Sequence, residues 1–290
     1  GFFQWTYAAL WLRATRGIPH VMCYERTTHT ERNAQRHRVA YRKWVMRWID
    51  AMCCNGRLSG EYAQSLGFPA ERITYGHMVA DVDGMKQAVE RVSDSQVMAL
   101  KARLDLRGLV FLYVGRLVPR KGIDELLRAW RVFSSESQSG AATLLLVGDG
   151  ACRSDLEQSC ATHRLGNVRF AGAVDYDMLA PYYKVADVFV IATLEDNWSL
   201  VVPEAMACGL PVLCSKYNGC WPEYVTPANG WVFDPLDRRD TVACLRQCLA
   251  ASDRLSEMGE TSQKIILNHT AKQAAAAIMN ACGIAAHHRQ

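Results

Sequence analysis

From residue 109 onward, short apolar runs alternate with segments whose apolar positions recur at helical spacing. The runs are LVFLYV (109–114), TLLLV (143–147), VRF (168–170), DVFVIA (187–192) and LPVLC (210–214). Between them lie IDELLRAWRVF (123–133), SDLEQSCATH (154–163) and DMLAPYYKVA (177–186), which repeat their apolar residues three and four apart. Strands apolar on both faces and separated by helices predict a parallel sheet covered on both sides.

The first part of the chain reads differently. A helical segment (3–16) precedes a strand, HVMCY (20–24), and a long basic helix is expected over about 30–49. AMCCN (51–55) and ERITYG (71–76) read as strands around a helix, SGEYAQSLG (59–67). This is the pattern of the closing half of a second α/β domain, with VADVDGMKQ (79–87) as the connection. The Ala-rich stretch 253–283 is helical and is expected to return toward that first domain. The expected division is therefore a partial domain over 1–85, a ligand-binding domain over 86–265, and a carboxy-terminal helix over 266–290.

Half of the 290 residues are apolar and 21% are charged, which suits folded α/β domains rather than a disordered chain. The eleven cysteines are odd in number, contain no C-x-x-C and include the neighbours Cys53 and Cys54. They predict free thiols in a reducing, cytoplasmic setting, with no zinc-ligand spacing. No apolar run reaches the length of a membrane span. The opening GFFQWTYAALWL has no basic flank of the kind a signal peptide carries. It begins in mid-pattern without Met, so an upstream part is expected to be absent.

Charge changes the picture in one respect. Residues 1–60 carry ten Lys/Arg against three acids, a net of +7 in a chain whose total is +4. Such a segment is either a solvated helix face or a surface for an anionic partner: an acidic lipid or a phosphate-bearing acceptor. No nucleic-acid motif accompanies it, so no nucleic-acid partner is expected.

The chemistry concentrates where the strands of the second half end, which is where open parallel sheets bind ligands. GRLVPRKG (115–122) puts Gly115 at a strand end and brings Arg116 and Lys121 to the start of the next helix, a pairing suited to a diphosphate. Its spacing is not that of a Walker loop. Gly148-Asp149-Gly150 forms a second glycine-rich turn at the same edge. The third loop opens DNWSLVVPEAMACGLPV (196–212), where Asp196 and Glu204 lie eight residues apart. Pro203 belongs to the first turn of a helix and Gly209 with Pro211 ends it; Ser199 is the expected N-cap. Asp196 would then face a ligand from the loop and Glu204 from the helix, with the N–H groups of 198–201 between them. Carboxylates accept paired sugar hydroxyls well. A purely structural reading, with Asp196 as a cap and Glu204 in an ion pair, is open beside it.

GRLVPRKG, VGDG, VRFAGAV and DNWSLVVPEAMACGLPV, in this order, resemble the nucleotide-sugar-binding half of the family-four retaining glycosyltransferases of the GT-B fold. The resemblance covers about 108–265, with weaker signals such as EYAQSLGFPAERI in 18–85. It implies two Rossmann-like parallel-sheet domains facing a cleft, the first partial. It further implies a metal-independent, cofactor-free transfer of sugar, with retention, from a nucleotide-sugar donor to a glycan, lipid or small-molecule acceptor. Arg116 and Lys121 would hold the diphosphate, Glu204 the ribose and Asp196 the transferred sugar. Gly115, Gly148, Asn197 and the backbone of Trp198, Ser199, Leu200 and Val201 would line the donor, and the Val174 backbone would meet the base.

The family motif has Glu at the first acid and Gly at the position of Ser199, so contacts to the sugar differ here. The family's acceptor-domain His has no counterpart; His29 reads as a packed or surface residue. Asp81-Val82-Asp83 and Asp175-Tyr176-Asp177 read as a connection and a helix start, not as metal ligands, and Glu25-Arg26-Thr27-Thr28 reads equally as an acceptor-facing loop or a turn. A non-catalytic sugar-nucleotide-binding protein, an inactive fragment, and an epimerase or phosphorylase on the same scaffold are the competing readings.

Overall fold

The computed structural model describes residues 4–136 and 141–288. Contacts divide the chain into two compact units, 1–79 with 269–290, and 80–268. The division falls after Val79 rather than after residue 85, because 79–87 is not a bare connection. Asp81 caps a helix at Val82–Glu90, its Oδ1 accepting the Gly84 N–H at 2.9 Å, and this helix packs within the second unit.

The second unit is built on six parallel strands: β4 (Leu109–Val114), β5 (Ala142–Val147), β6 (Val168–Gly172), β7 (Val188–Ile191), β8 (Val212–Ser215) and β9 (Gly230–Phe233). Their order across the sheet is β6-β5-β4-β7-β8-β9. That is the doubly wound arrangement in which the direction of winding reverses at the first strand, here between β4 and β7. The apolar runs become central strands because both faces are covered: β4, β5, β7 and β8 are buried along nearly their whole length. On one face Trp130 and Phe133 of the helix Ile123–Glu136 pack on Phe111 of β4, with ring centroids 5.3 and 6.3 Å from it.

Helices Val82–Glu90, Asp94–Arg103, Trp221–Tyr224 and Arg238–Ala250 and strand β9 of this unit lie outside the periodic reading. Helix Asp94–Arg103 is announced by a capping box, Ser93 with Gln96, more than by apolar spacing. Helix Arg238–Ala250 starts from Asp237, whose side chain accepts two backbone N–H groups. Strand β9 follows the buried Asn229, which folds its turn back on Thr226. The segment expected as one helix over 177–186 is a tight turn at Tyr176–Met178 followed by the helix Ala180–Val185, with Pro181 in its first turn.

The first unit holds three parallel strands in sequence order, β1 (Val21–Tyr24), β2 (Ala51–Cys54) and β3 (Ile73–Tyr75). The basic helix between β1 and β2 is shorter than expected, Arg36–Met46. The segment before it is folded by Thr27 and Thr30, each hydroxyl accepting the other residue's N–H. The turn spans residues 28–33, and Thr28 of the 25–28 segment opens it. Helix Ala271–His287 belongs to this unit and lays Ala277, Ala281 and Ala285 against Ala51 and Cys53 of β2. The helix Gln4–Arg16 is tied to the sheet by Arg13, whose guanidinium makes two 2.9 Å bonds to the buried Asp50. Phe3, the expected first residue of that helix, lies outside the described residues. The eleven cysteines are free thiols.

Candidate active site

The loops 115–122 and 193–199 leave the carboxyl ends of β4 and β7, the two strands that flank the reversal point. Backbone bonds tie them together. The Leu194 N–H donates to the Arg120 carbonyl at 2.8 Å, and the Thr193 hydroxyl donates to the same oxygen at 3.0 Å. Leu117 N–H donates to the Asp149 carbonyl at 2.9 Å, which attaches the turn after β5. Glycine makes this closeness achievable. At Gly148, with φ 138°, a Cβ would stand 1.8 Å from the Gly115 carbonyl oxygen; at Gly122, with φ 67°, it would stand 1.9 Å from that of Ala192.

Within this frame the structure brings Lys121 and Asp196 into direct contact: the ammonium donates to Asp196 Oδ2. The Ser199 hydroxyl donates to the same oxygen at 2.6 Å, and the Trp198 N–H reaches Oδ1 at 3.2 Å. The acid's own backbone is held from β8: Asp196 bridges Asn218, and the Gly219 N–H donates to the Asp196 carbonyl at 3.0 Å. Burial raises the cost of charge on Asp196, but Lys121, Ser199 and the Trp198 N–H outweigh it and hold the carboxyl below its usual range.

Two expectations change here. Ser199 does not cap the helix, which runs Val201–Ala207 with Leu200 at the N-cap position and no side-chain cap. Its hydroxyl goes to Asp196 because the loop turns the acid back over residues 198 and 199. The Trp198 N–H, expected to face a ligand, is likewise taken by Asp196.

Glu204 lies in the first turn of this helix and is 7% exposed. Among the described residues no ion pair engages it. The Tyr183 hydroxyl donates to its Oε2 at 3.1 Å. Burial pushes its carboxyl up to about 7, and the Tyr183 bond opposes that rise. The two acids of one motif thus differ sharply in electrostatics. The partner of Glu204 was not foreseen; its trace in the sequence is the doublet Tyr182-Tyr183, whose two hydroxyls go to Arg103 and to Glu204.

The remaining expected residues distribute as follows. Arg116 is exposed at the start of its loop, and its carbonyl accepts the Tyr113 hydroxyl at 2.9 Å. Gly115 takes φ 151° beside it. Asn197 is half-buried and its backbone faces Gly219. Trp198 is buried with its ring edge-on to Tyr224 at 5.2 Å. Leu200 is exposed, Val201 half-buried, and Val174 half-buried on the loop after β6. Arg116 and Val174 are placed on this edge of the sheet by the strands β4 and β6 that precede them. Among the described residues no group of His, Cys, Asp or Glu is arranged to hold a metal ion.

Comparison with known proteins adds to this geometry. Residues 108–251 match the family described as Glycosyl transferases group 1. A D-inositol 3-phosphate glycosyltransferase of Catenulispora acidiphila is 31% identical over 53% of this chain and 38% of its own length. A GDP-mannose-dependent monoacylated alpha-(1-6)-phosphatidylinositol monomannoside mannosyltransferase of Corynebacterium glutamicum is 30% identical over 64% of this chain and 50% of its own. The chain therefore spans half or less of the length of these curated relatives. Among solved structures, Anabaena HepE in complex with UDP and glucose superposes with a TM-score of 0.76 at 18% identity, covering 94% of this chain and 75% of that one. The sucrose-phosphate synthase of Thermosynechococcus elongatus gives 0.71 at 23% identity, over 95% of this chain and 69% of that one. These two likenesses establish the fold, two parallel-sheet units of the GT-B kind.

Proposed function

The chain belongs, through residues 108–251, to the group 1 glycosyl transferases, and on that premise we propose that it moves a sugar, with retention, from a nucleotide-sugar donor to an acceptor hydroxyl. The observation that carries this reading is the meeting of Lys121 and Asp196 at the reversal point of the sheet, where parallel α/β sheets take their ligands.

Each residue has a role that its surroundings support. Lys121 presents three donors, so it can keep Asp196 and still take a phosphate oxygen of the donor. Arg116, at the other end of the same loop, adds a planar fork for the diphosphate. Of the roughly four acceptor positions on the Asp196 carboxylate, Lys121, Ser199 and the Trp198 N–H occupy three, which leaves one for a sugar hydroxyl. Glu204 accepts the ribose hydroxyls, the backbone at Leu200 and Val201 faces the sugar and phosphate, and the Val174 backbone meets the base. Fixed cations at the departing diphosphate supply the charge stabilisation that in other transferases a metal provides. Retention follows the family reading. The acceptor is a hydroxyl compound of the glycan, lipid or small-molecule kind, and the setting is cytoplasmic.

The first unit supports a peripheral contact with anionic lipid. Helices Gln4–Arg16 and Arg36–Met46 carry no acid and meet where Tyr41 donates to the Tyr7 hydroxyl at 2.6 Å. Around that contact Trp11, Trp44 and Trp48 are 60%, 49% and 43% exposed, flanked by the exposed Arg16, Arg36, Lys43 and Arg47. Interfacial Trp and Tyr with Arg and Lys are the residue types that settle at acidic lipid headgroups.

Titration calorimetry with UDP-glucose and with GDP-mannose tests the donor reading. At least one is expected to bind, and Lys121→Ala is expected to weaken it by roughly tenfold or more, the loss of one charge-assisted contact. Equal affinity in the two proteins would overturn the diphosphate role.

A further inference from the structure

We propose that Tyr183 is a positioning residue for donor binding: its hydroxyl fixes one oxygen of Glu204 so that the other faces the ribose. This rests on the reading of Glu204 as the ribose acid.

The side chain is fully buried, and its ring packs on Phe189 of β7 with centroids 6.3 Å apart. The fold needs an aromatic ring of that volume there, but not a hydroxyl. A phenol placed in such surroundings costs stability unless it is hydrogen-bonded. Its partner is Glu204 Oε2 at 3.1 Å, the hydrogen bond that the described residues provide to this carboxylate. The bond defines an orientation. An ionised carboxylate only accepts, so a donor held rigidly on Oε2 leaves Oε1 and the second lone pair of Oε2 for two vicinal hydroxyls. A buried ring has no freedom to follow the acid, so the direction of the carboxyl plane is set before any ligand arrives. Tyr182, the preceding residue, shows that the choice is specific. Its hydroxyl accepts from Arg103, away from Glu204.

The groups that act on this pair come from several elements. Cys208 follows Glu204 by one turn, and its thiol is pushed up by burial and then by the nearby acid. Tyr176, from the turn Tyr176–Met178, is influenced by Glu204 and by Asp81. Lys184 acts on Cys208 from the helix Ala180–Val185. Asp83, Lys86, Glu260 and Lys264 line a separate cavity of about 190 Å³ at Ala207, beyond the acid along its helix. Of all these, Tyr183 alone donates to the carboxylate. It favours the ionised form, and burial opposes that form.

The test uses a nucleotide sugar, whose diphosphate diester takes up no proton near neutrality, and measures its Kd by calorimetry from pH 5.5 to 8.5. In the wild type the affinity is expected to weaken as pH falls through about 7 and Glu204 protonates. Tyr183→Phe is expected to weaken binding by about threefold to tenfold at pH 7.5 and to move the midpoint upward by roughly half a pH unit or more, because it deletes one hydrogen bond to the charged form. Glu204→Gln is expected to weaken binding and to remove the pH dependence.

If Glu204→Gln behaves so and Tyr183→Phe changes neither Kd nor midpoint, Tyr183 is structural only and the proposal fails. If Glu204→Gln leaves the affinity untouched, the ribose role of Glu204 fails and the proposal with it. Should Tyr183→Phe not fold, proton NMR of the wild type decides. The Tyr183 hydroxyl resonance must titrate with the midpoint of Glu204, and a resonance indifferent to pH would overturn the bond.

Discussion

Asp196 and Glu204 are acids of one motif, eight residues apart, and the fold gives them opposite tendencies. An ammonium, a hydroxyl and a backbone N–H hold the Asp196 carboxyl below its usual range, whereas burial pushes Glu204 up to about 7 against the opposing bond from the neutral Tyr183 hydroxyl. Their spacing was legible in the sequence; this difference was not, because it depends on Lys121, which is 75 residues from Asp196, and on Tyr183, which is 21 residues from Glu204. Ser199 is the residue whose purpose the structure revises. As a cap it would serve the helix; bound to Asp196 it serves the ion pair. Ser199→Ala is therefore expected to leave the helix intact and to raise the pH at which Asp196 protonates. The sign follows from the bond: the hydroxyl stabilises the carboxylate, so without it the proton returns at a higher pH. Carboxyl-carbon NMR of Asp196 reads this directly, with Ser199→Thr restoring the wild-type curve. An unchanged titration in the alanine variant would show that Lys121 and the backbone suffice.

At the scale of elements, the five apolar runs after residue 108 became strands close to where their pattern ends; for β4, β5, β7 and β8 the reason is that a strand buried on both faces announces itself by continuous apolar sequence, whereas β6 lies half-buried at the sheet edge. Strand β9 was not read from the pattern, although Trp231, Val232 and Phe233 are apolar; it is defined by its parallel pairing with β8. The loops show the reverse. Their glycines were visible, but which carbonyl each approaches is set by the sheet order. Gly148→Ala tests the closeness of the loops after β4 and β5. A Cβ at 1.8 Å from a backbone oxygen, on a residue with φ 138°, cannot be accommodated without moving one loop. The variant is expected to lose more than about 2 kcal/mol of stability, read as a lower urea midpoint at unchanged slope. A neutral result would mean that the two loops separate freely.

At the scale of the molecule, charge is partitioned by unit. The positive excess of residues 1–60 lies in the first unit, and the exposed tryptophans lie among those cations. Vesicles of phosphatidylglycerol are expected to bind the protein and to shift its tryptophan emission to shorter wavelength, with binding that weakens as salt rises. The triple variant Trp11→Ala, Trp44→Ala, Trp48→Ala is expected to keep the salt dependence and lose most of the affinity. Equal partitioning onto phosphatidylcholine, or none onto either, would refute an anionic lipid partner. Among the described residues no helix is long and apolar enough to cross a membrane. The sequence by itself determined the alternation of strands and helices, the class of sheet and the positions of the cations, glycines and acids, since these follow from local periodicity and residue type. Only the tertiary structure decided that Lys121 meets Asp196 and that Glu204 depends on Tyr183. Those outcomes follow from strand order and from burial, which set distances and electrostatics between residues remote along the chain, and no local pattern encodes them.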